Sequence, residues 1–542
     1  IYGLESALGK GSQFSNYAGY LGKPDYFQTD LDRYRKVTPA DVQRVTSQYL
    51  SNNRLVMSYV PGKPAATTNA TTDKPATTKA KELDPAIIAQ QKAALPKAGP
   101  APKLSLPAIE KTKLSNGLNV WFVKQNKLPI ISMNLVFNSG SILDSADKYG
   151  VASWTTSMLN QGTNSRSAVE IANQLQSIGA SVFAGSGWDS SNVSMQTLTK
   201  NLDQALSIYT DVIINPAFPA TELESLRRRS IINLTQRKSQ PSSVASLAFN
   251  KVLYGNQAYG RDSTENSVKA ITREDLVKFH KTNYVPNNAT LIVVGDVDSK
   301  TMLPKLETTF ANWKSGNPEA VPSSAQTMQG KPGIYIIDKP GATQSTIAAG
   351  VVGIDRSNPD YYAVQIMNSI LGGGSSGRLF KILREEKGYT YGAYSSFTMR
   401  KGAGPFRAGG DFQTGSTKES VEELMKLIEG IRGANPATQK ELDTHKIAVI
   451  NGYPQGFETV GQISGQLSNL VVYGLPDSYF NDYITKIDAV TLADVNRVAN
   501  KYLDPSKMAI VIVGDRKVIE PGLKQLNQSI NILNADGNPI AN

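Results

Sequence analysis

The 542-residue sequence has no cysteine and only two histidines, His280 and His445. Disulfide staples are thereby excluded, and the thiolates and imidazoles that hold most protein zinc, iron and copper are almost absent. A transition-metal centre built by this chain is not expected. Nor does any apolar run approach the roughly 20 residues that a membrane-crossing helix needs, so no transmembrane segment is expected. Ile1 is followed by neither a signal-peptide nor an initiator pattern, and the chain reads as truncated or processed at its start. Charge is sparse at 19%, against 40% hydrophobic residues. That balance is globular rather than disordered. Lys and Arg number 57 against 46 Asp and Glu, leaving +11. This charge is spread widely without aromatic interleaving, and no nucleic-acid partner is inferred.

At roughly 100 to 200 residues per domain, the length predicts two to four domains. The clearest break is the Pro/Ala/Thr/Lys-rich stretch 64–108, which lacks apolar periodicity and reads as a partly extended linker, with one helical turn expected near Pro85 to Ala94. On either side of it, one pattern recurs three times. Residues 38–62 read TPADVQRVTSQYLSNNRLVMSYVPG, residues 272–295 TREDLVKFHKTNYVPNNATLIVVG, and residues 491–514 TLADVNRVANKYLDPSKMAIVIVG. Thr38, Thr272 and Thr491 are N-cap candidates with Asp41, Asp275 and Asp494 three positions on, a capping box with Asp in place of Glu. A helix is predicted to Tyr49, Tyr284 or Tyr502, then a strand ending at Gly62, Gly295 or Gly514. The copies start 234 and then 219 residues apart. Each thus closes a lobe of about 200 residues. On this reading 1–63 is the C-terminal tail of a preceding unit, while 109–320 and 332–542 are complete lobes.

Within the first lobe, LNVWFVKQ and IISMNLVFNSG are strand-like, Ser167 with Glu170 caps a helix ending at Gly179, and helical patterns cover 200–214 and 220–239. The second lobe repeats this order, with IYIIDKP and TIAAGVVG as strands and 360–371 as a helix. The predicted class is α+β, with helices packed on a mixed or antiparallel sheet in each lobe. Arg227, Arg228 and Arg229 are predicted to form a solvated helix face. The run GGGSSGR at 372–378 lacks the Lys and Ser/Thr of a phosphate loop and follows a helix, so it reads as a turn.

The segment LSNGLNVWFVKQNKLPIISMNLVFNSGSILDSADKYGVASWTTSMLNQGT, with NPAFPATELESLRRRSIINL after it, resembles the pitrilysin and insulinase family of inverted-zincin metallopeptidases. The resemblance extends over both lobes and the N-terminal tail. It implies that the run Gly150 to Thr163 corresponds to the family's His-x-x-Glu-His helix, whose two His bind zinc and whose Glu acts as general base. Here those positions hold Ser153, Thr156 and Ser157, and a further glutamate ligand of the family aligns with Thr235. Neutral hydroxyls are poor zinc ligands and cannot supply the base, so this lobe should be silent. His280 and His445 lie outside the motif, and His280 is expected to be an ordinary surface or interface residue.

In RLFKILREEKGYTYGAYS, a helix over 378–387 should stop at Gly388, placing Arg384 in its last turn and Tyr391 just beyond. The resemblance implies a role for this Arg/Tyr pair, which in the family's C-terminal lobe closes over the active site of the other half and donates hydrogen bonds to the substrate carbonyl. It further implies that the two lobes form half of a clamshell chamber. The expected function is the non-catalytic, peptide-binding half of a zinc endopeptidase. Zinc would reside in a partner or upstream unit of the same family, and none in this chain. The alternative is a non-enzymatic scaffold subunit of that family. Low charge and abundant Ser, Thr, Asn and Gln lean toward a periplasmic or secreted bacterial protein.

Overall fold

The computed structural model describes residues 2–52, 54–58, 86–87, 90, 104–321 and 330–540. They divide into two compact units, residues 3–101 and residues 102–542 together with the first two. In the smaller unit, α1 (Ala7–Leu21) starts where the Ser6 side chain accepts the Gly9 N–H and stops at Gly22, whose φ of 66° lies in the left-handed region. It is followed by α2 (Phe27–Lys36) and α3 (Pro39–Tyr49). The predicted Thr38–Asp41 capping box opens α3 with both reciprocal bonds made. No residue of the three helices is buried. The strand predicted to follow α3 is absent over 54–58, and its remainder, 59–62, lies outside the described residues. So does the linker reading, apart from Ala86 and Ile87, which are helical, Gln90, and residues 104–108.

The larger unit contains two lobes with the same plan. The first runs through β1 (Glu110–Lys113), β2 (Asn119–Lys124), β3 (Ile130–Phe137), α4 (Val151–Met158), α5 (Ala168–Ser177), β4 (Ser181–Ser186) and β5 (Ser191–Leu198). It continues with α6 (Leu202–Ile214), α7 (Ala220–Ser239), α8 (Pro241–Tyr254), α9 (Glu265–Ala270), α10 (Arg273–Asn283), β6 (Ala289–Gly295) and α11 (Ser299–Phe310). The second runs through β7 (Gly333–Asp338), β8 (Gln344–Val352), α12 (Tyr361–Gly372), α13 (Arg378–Phe380), β9 (Thr390–Phe397), β10 (Pro405–Gln413) and α14 (Thr417–Arg432). It ends with α15 (Gln439–Gly452), α16 (Val460–Tyr473), α17 (Tyr479–Asp488), α18 (Leu492–Tyr502), β11 (Ala509–Gly514), α19 (Arg516–Leu523) and β12 (Ile530–Leu533).

Each lobe holds a six-stranded mixed sheet, ordered β1-β2-β6-β3-β5-β4 and β12-β7-β11-β8-β10-β9. The α+β expectation therefore holds. The closing strands of the repeat do not lie at an edge: β6 inserts parallel to β2 and antiparallel to β3, and β11 parallel to β7 and antiparallel to β8. A strand so placed is covered on both faces, which is why Leu291–Val294 and Ile510–Val513 are unbroken apolar runs, all buried.

The lobe boundaries hide an exchange. Helix α8 of the first lobe packs on β8 and β11 of the second, burying Val244, Phe249 and Leu253, while α16 of the second packs on β3 and β6 of the first, burying Ile463, Leu467 and Leu470. Each such side chain contributes about 1.5–3 kcal/mol when fully buried. A polar clamp joins the lobes as well: buried Asp189 accepts from the Tyr259 hydroxyl at 2.8 Å and from the Lys401 N–H at 3.0 Å. Beside it the Arg400 guanidinium stacks on Trp188 and Tyr259, 3.6 and 4.6 Å from the ring centroids. Among the described residues no helix is long and apolar enough to cross a membrane.

Candidate functional site

Helix α4 is held at its start by a buried carboxylate. Asp144 accepts the N–H groups of Gly150 and Ala152, each at 2.9 Å, and Arg261 donates to the Asp144 carbonyl at 2.8 Å. Burial pushes the Asp144 carboxyl up to about 6 against the opposing pull of those two N–H bonds. The helix then lies across β4 and β5, and β4 is a free edge of its sheet.

Along α4 every hydroxyl at the positions that the family resemblance aligns with the zinc motif turns back on the helix. Ser153 donates to the Gly150 carbonyl at 3.0 Å, and Thr156 and Ser157 both donate to the Ser153 carbonyl at 2.8 Å. Short hydroxylated side chains readily make such bonds to their own helix, and a neutral hydroxyl so directed is a poor zinc ligand. Thr156 is buried, Ser153 half-buried and Ser157 exposed. Thr235 lies exposed on α7 with its hydroxyl on the Ile231 carbonyl at 3.1 Å, and no hydrogen bond joins it to the other three among the described residues. This donor set does not fit zinc. No group of three or more His, Cys, Asp or Glu side chains among the described residues is placed to hold a metal ion.

Two expectations need correction nearby. Arg227 does not belong to a solvated face: it donates to the Ile271 carbonyl at 2.8 Å and stacks 5.4 Å from the Trp154 ring centroid, leaving only Arg228 and Arg229 exposed. One-in-four spacing along α7 brings it over α4, which the charge run does not reveal. His280 is not a surface residue either. It is buried between Phe218 and Tyr284 with Nε2 donating to the Ile213 carbonyl at 2.7 Å, and burial pushes its pKa down to about 4. It is a neutral core histidine.

In the second lobe, the chain after α13 winds into a π-type turn, Lys381–Glu386, whose Lys387 N–H reaches the Ile382 carbonyl at 2.9 Å. Gly388 ends it with φ 66°. Residues Tyr391 and Gly392 then oppose the single residue Asp411, because the ladder steps from Gly410–Ala393 to Phe412–Thr390. Such a bulge re-aims a side chain. Tyr391 is 81% exposed on β9, an edge strand. The Arg384 guanidinium sits 4.4 Å from its ring centroid and 4.8 Å from that of Phe380. Among the described residues Arg384 makes no ion pair. The structure thus brings Arg384 and Tyr391 together, while no hydrogen bond, ion pair or ring contact links them to α4.

Arg378, at the end of the Gly-rich turn, is by contrast fully engaged. It meets Glu441 through two bonds of 2.7 Å and donates to the Pro436 carbonyl at 2.9 Å. A further cluster went unread in the sequence. Arg356 stacks 3.7 Å from the Tyr361 centroid and 4.9 Å from that of Tyr479, in a cleft also lined by Tyr453, Tyr473 and Tyr483. These tyrosines are dispersed over more than a hundred residues and share no periodicity.

Comparison with known proteins accords with this geometry. The family model described as Insulinase (Peptidase family M16) matches residues 120–265, and that described as Peptidase M16 inactive domain matches residues 270–449. The crystal structure of a peptidase M16 inactive domain from Pseudomonas fluorescens is 30% identical with a TM-score of 0.70, covering 75% of this chain and 98% of its own. A protease structure from Helicobacter pylori, 23% identical with a TM-score of 0.68, covers 75% of this chain and 100% of its own and shares the fold. An uncharacterized zinc protease of Rickettsia bellii is 26% identical over 413 residues, 74% of this chain and 96% of that protein.

Proposed function

Because this chain belongs to the M16, or insulinase, peptidase family and lacks that family's zinc motif, we propose that it is the non-catalytic, peptide-binding half of a zinc endopeptidase. The zinc motif resides in a partner or upstream unit of the same family, and metal chemistry belongs to that unit. This chain contributes Arg384 and Tyr391, which donate to the carbonyl oxygen of the scissile peptide as negative charge develops on it. The observation that carries the reading is the contrast between the two lobes. The hydroxyls at the zinc positions are turned onto their own helix, whereas Arg384 and Tyr391 are stacked on each other, without a carboxylate partner among the described residues, and Tyr391 follows a bulge. With the guanidinium 4.4 Å from the tyrosine's ring centroid, both donor-bearing side chains occupy one patch of the surface.

An extended peptide would add to the free edge of β4, beside α4, through main-chain hydrogen bonds. Two halves closing on each other as a clamshell would bury that strand, and composition leans toward a periplasmic or secreted setting. Reconstitution tests this directly. The chain by itself should carry no stoichiometric zinc and turn over no peptide, and turnover should appear when the zinc-bearing unit is added and depend on both. One tightly held zinc per chain would overturn it, and equal turnover by the zinc-bearing unit without this chain would also overturn it and leave the scaffold reading in front.

A further inference from the structure

The helix that opens the thrice-repeated pattern has two fates. In the second copy, α10 packs against α4 and buries Leu276 and Phe279 to 0% and 7% exposure. In the third, α18 packs against α12 and buries Val495 and Val498 completely. The matching positions of the first copy, by distance from the capping threonine, are Val42 and Val45. They are 57% and 42% exposed, and Leu50, matching buried Tyr284 and Leu503, is 77% exposed. After them Leu55, Val56 and Met57 are exposed too, where the other copies lead into the middle strand of a sheet.

The N-terminal geometry of α3 is otherwise that of its counterparts. Thr38 and Asp41 make the same reciprocal capping box as Thr272 with Asp275 and Thr491 with Asp494. A helix with the same cap and the same apolar stripe presents a surface shaped for the same kind of cover. Both lobes at 104–540 already hold their own copy, with β6 and β11 seated between two neighbours. Neither sheet has a vacant middle position, so a second copy of this chain offers no seat.

We propose that residues 38–52 and 54–58 belong to the closing element of a third lobe of this same fold, whose other strands and helices are supplied by polypeptide lying outside residues 104–540. The stripe Val42, Val45 and Leu50 docks on that lobe's counterpart of α4 or α12, and Leu55, Val56 and Met57 enter the sheet between the counterparts of β2 and β3. Completion of a sheet from within gives the strand two ladders of hydrogen bonds and two apolar faces, a far stronger attachment than addition at an edge. The inference stands on the repeat and its burial, not on the role of Arg384.

A photo-crosslinking residue at Val45, in the full chain made in its own cells, tests it, with the attached peptide sequenced by mass spectrometry. The expected product is a peptide from the helix after the second or third strand of an M16-like lobe that lacks a closing copy of its own. The substitutions Val42→Asp and Leu50→Asp should abolish that product while the melting temperature of the remainder stays unchanged. A probe at Arg44, on the opposite face, should give none. Crosslinks to residues 104–540, to a second copy of the chain, to a protein of another fold, or to nothing would each overturn the proposal. The Arg384→Ala chain should crosslink as the wild type does, so failure of one reading is separable from failure of the other.

Discussion

Arg378 and Arg384 stand six residues apart and do opposite things. Arg378 is buried and bidentate on the half-buried Glu441, so removing it leaves that carboxylate to Thr438 alone and the Asn435 and Pro436 carbonyls without their donor. Arg378→Ala is expected to cost about 1–3 kcal/mol in urea unfolding. Burial would raise the Glu441 pKa, but bonds from Arg378 and from the Thr438 N–H and hydroxyl outweigh it and hold the group at about 2. Asp360 is held at about 2 in the same way, against its burial, by Tyr502, Lys501 and Arg497. Both folded values lie below the unfolded ones. Their stabilisation is therefore full above about pH 4.5 and lost as pH falls toward 2. The unfolding midpoint should drop across that window, and Glu441→Gln should flatten the drop; a midpoint level from pH 4.5 to 2 would contradict these assignments. Among the described residues Arg384 makes no such pair, and Arg384→Ala should leave the unfolding free energy within about 0.5 kcal/mol of wild type.

Among the elements, the helices with capping boxes were the most legible. Ser167 with Glu170, Thr272 with Asp275 and Thr491 with Asp494 all make both reciprocal bonds. A cap is a local signal, set by side chains three positions apart, and it survives whatever the helix packs on. Thr491→Ala should cost about 1 kcal/mol of global stability, because α18 is part of the second lobe's core. The same change at Thr38 should speed amide exchange in 39–49 and leave the melting temperature of 104–540 as it was. The bonds that Ser153, Thr156 and Ser157 make into α4 were not legible in the sequence. The π-type turn and the bulge that turn Tyr391 outward left no trace in the sequence, since both depend on how β9 meets β10. Nor did the fate of Arg227 and His280, since which side of a helix is covered is decided by elements far away in the chain.

At the scale of the molecule, the two lobes interlock rather than sit as beads. Helices α8 and α16 each cover the other lobe's sheet, and the Asp189–Tyr259–Lys401 clamp ties the β4–β5 turn to the β9–β10 turn. Residues 104–540 should therefore unfold in a single calorimetric transition, and two resolved transitions would show the exchange to be weak. Neither α8 nor the sheet it serves was read from the sequence, where the helical pattern before it stops at residue 239. The most direct measurement is the kcat of the reconstituted peptidase with Arg384→Ala and Tyr391→Phe chains. Each variant should lose about 10²-fold in kcat with little change in KM, as expected when a donor to the developing oxyanion is removed. Wild-type kcat from the doubly substituted chain would contradict the account.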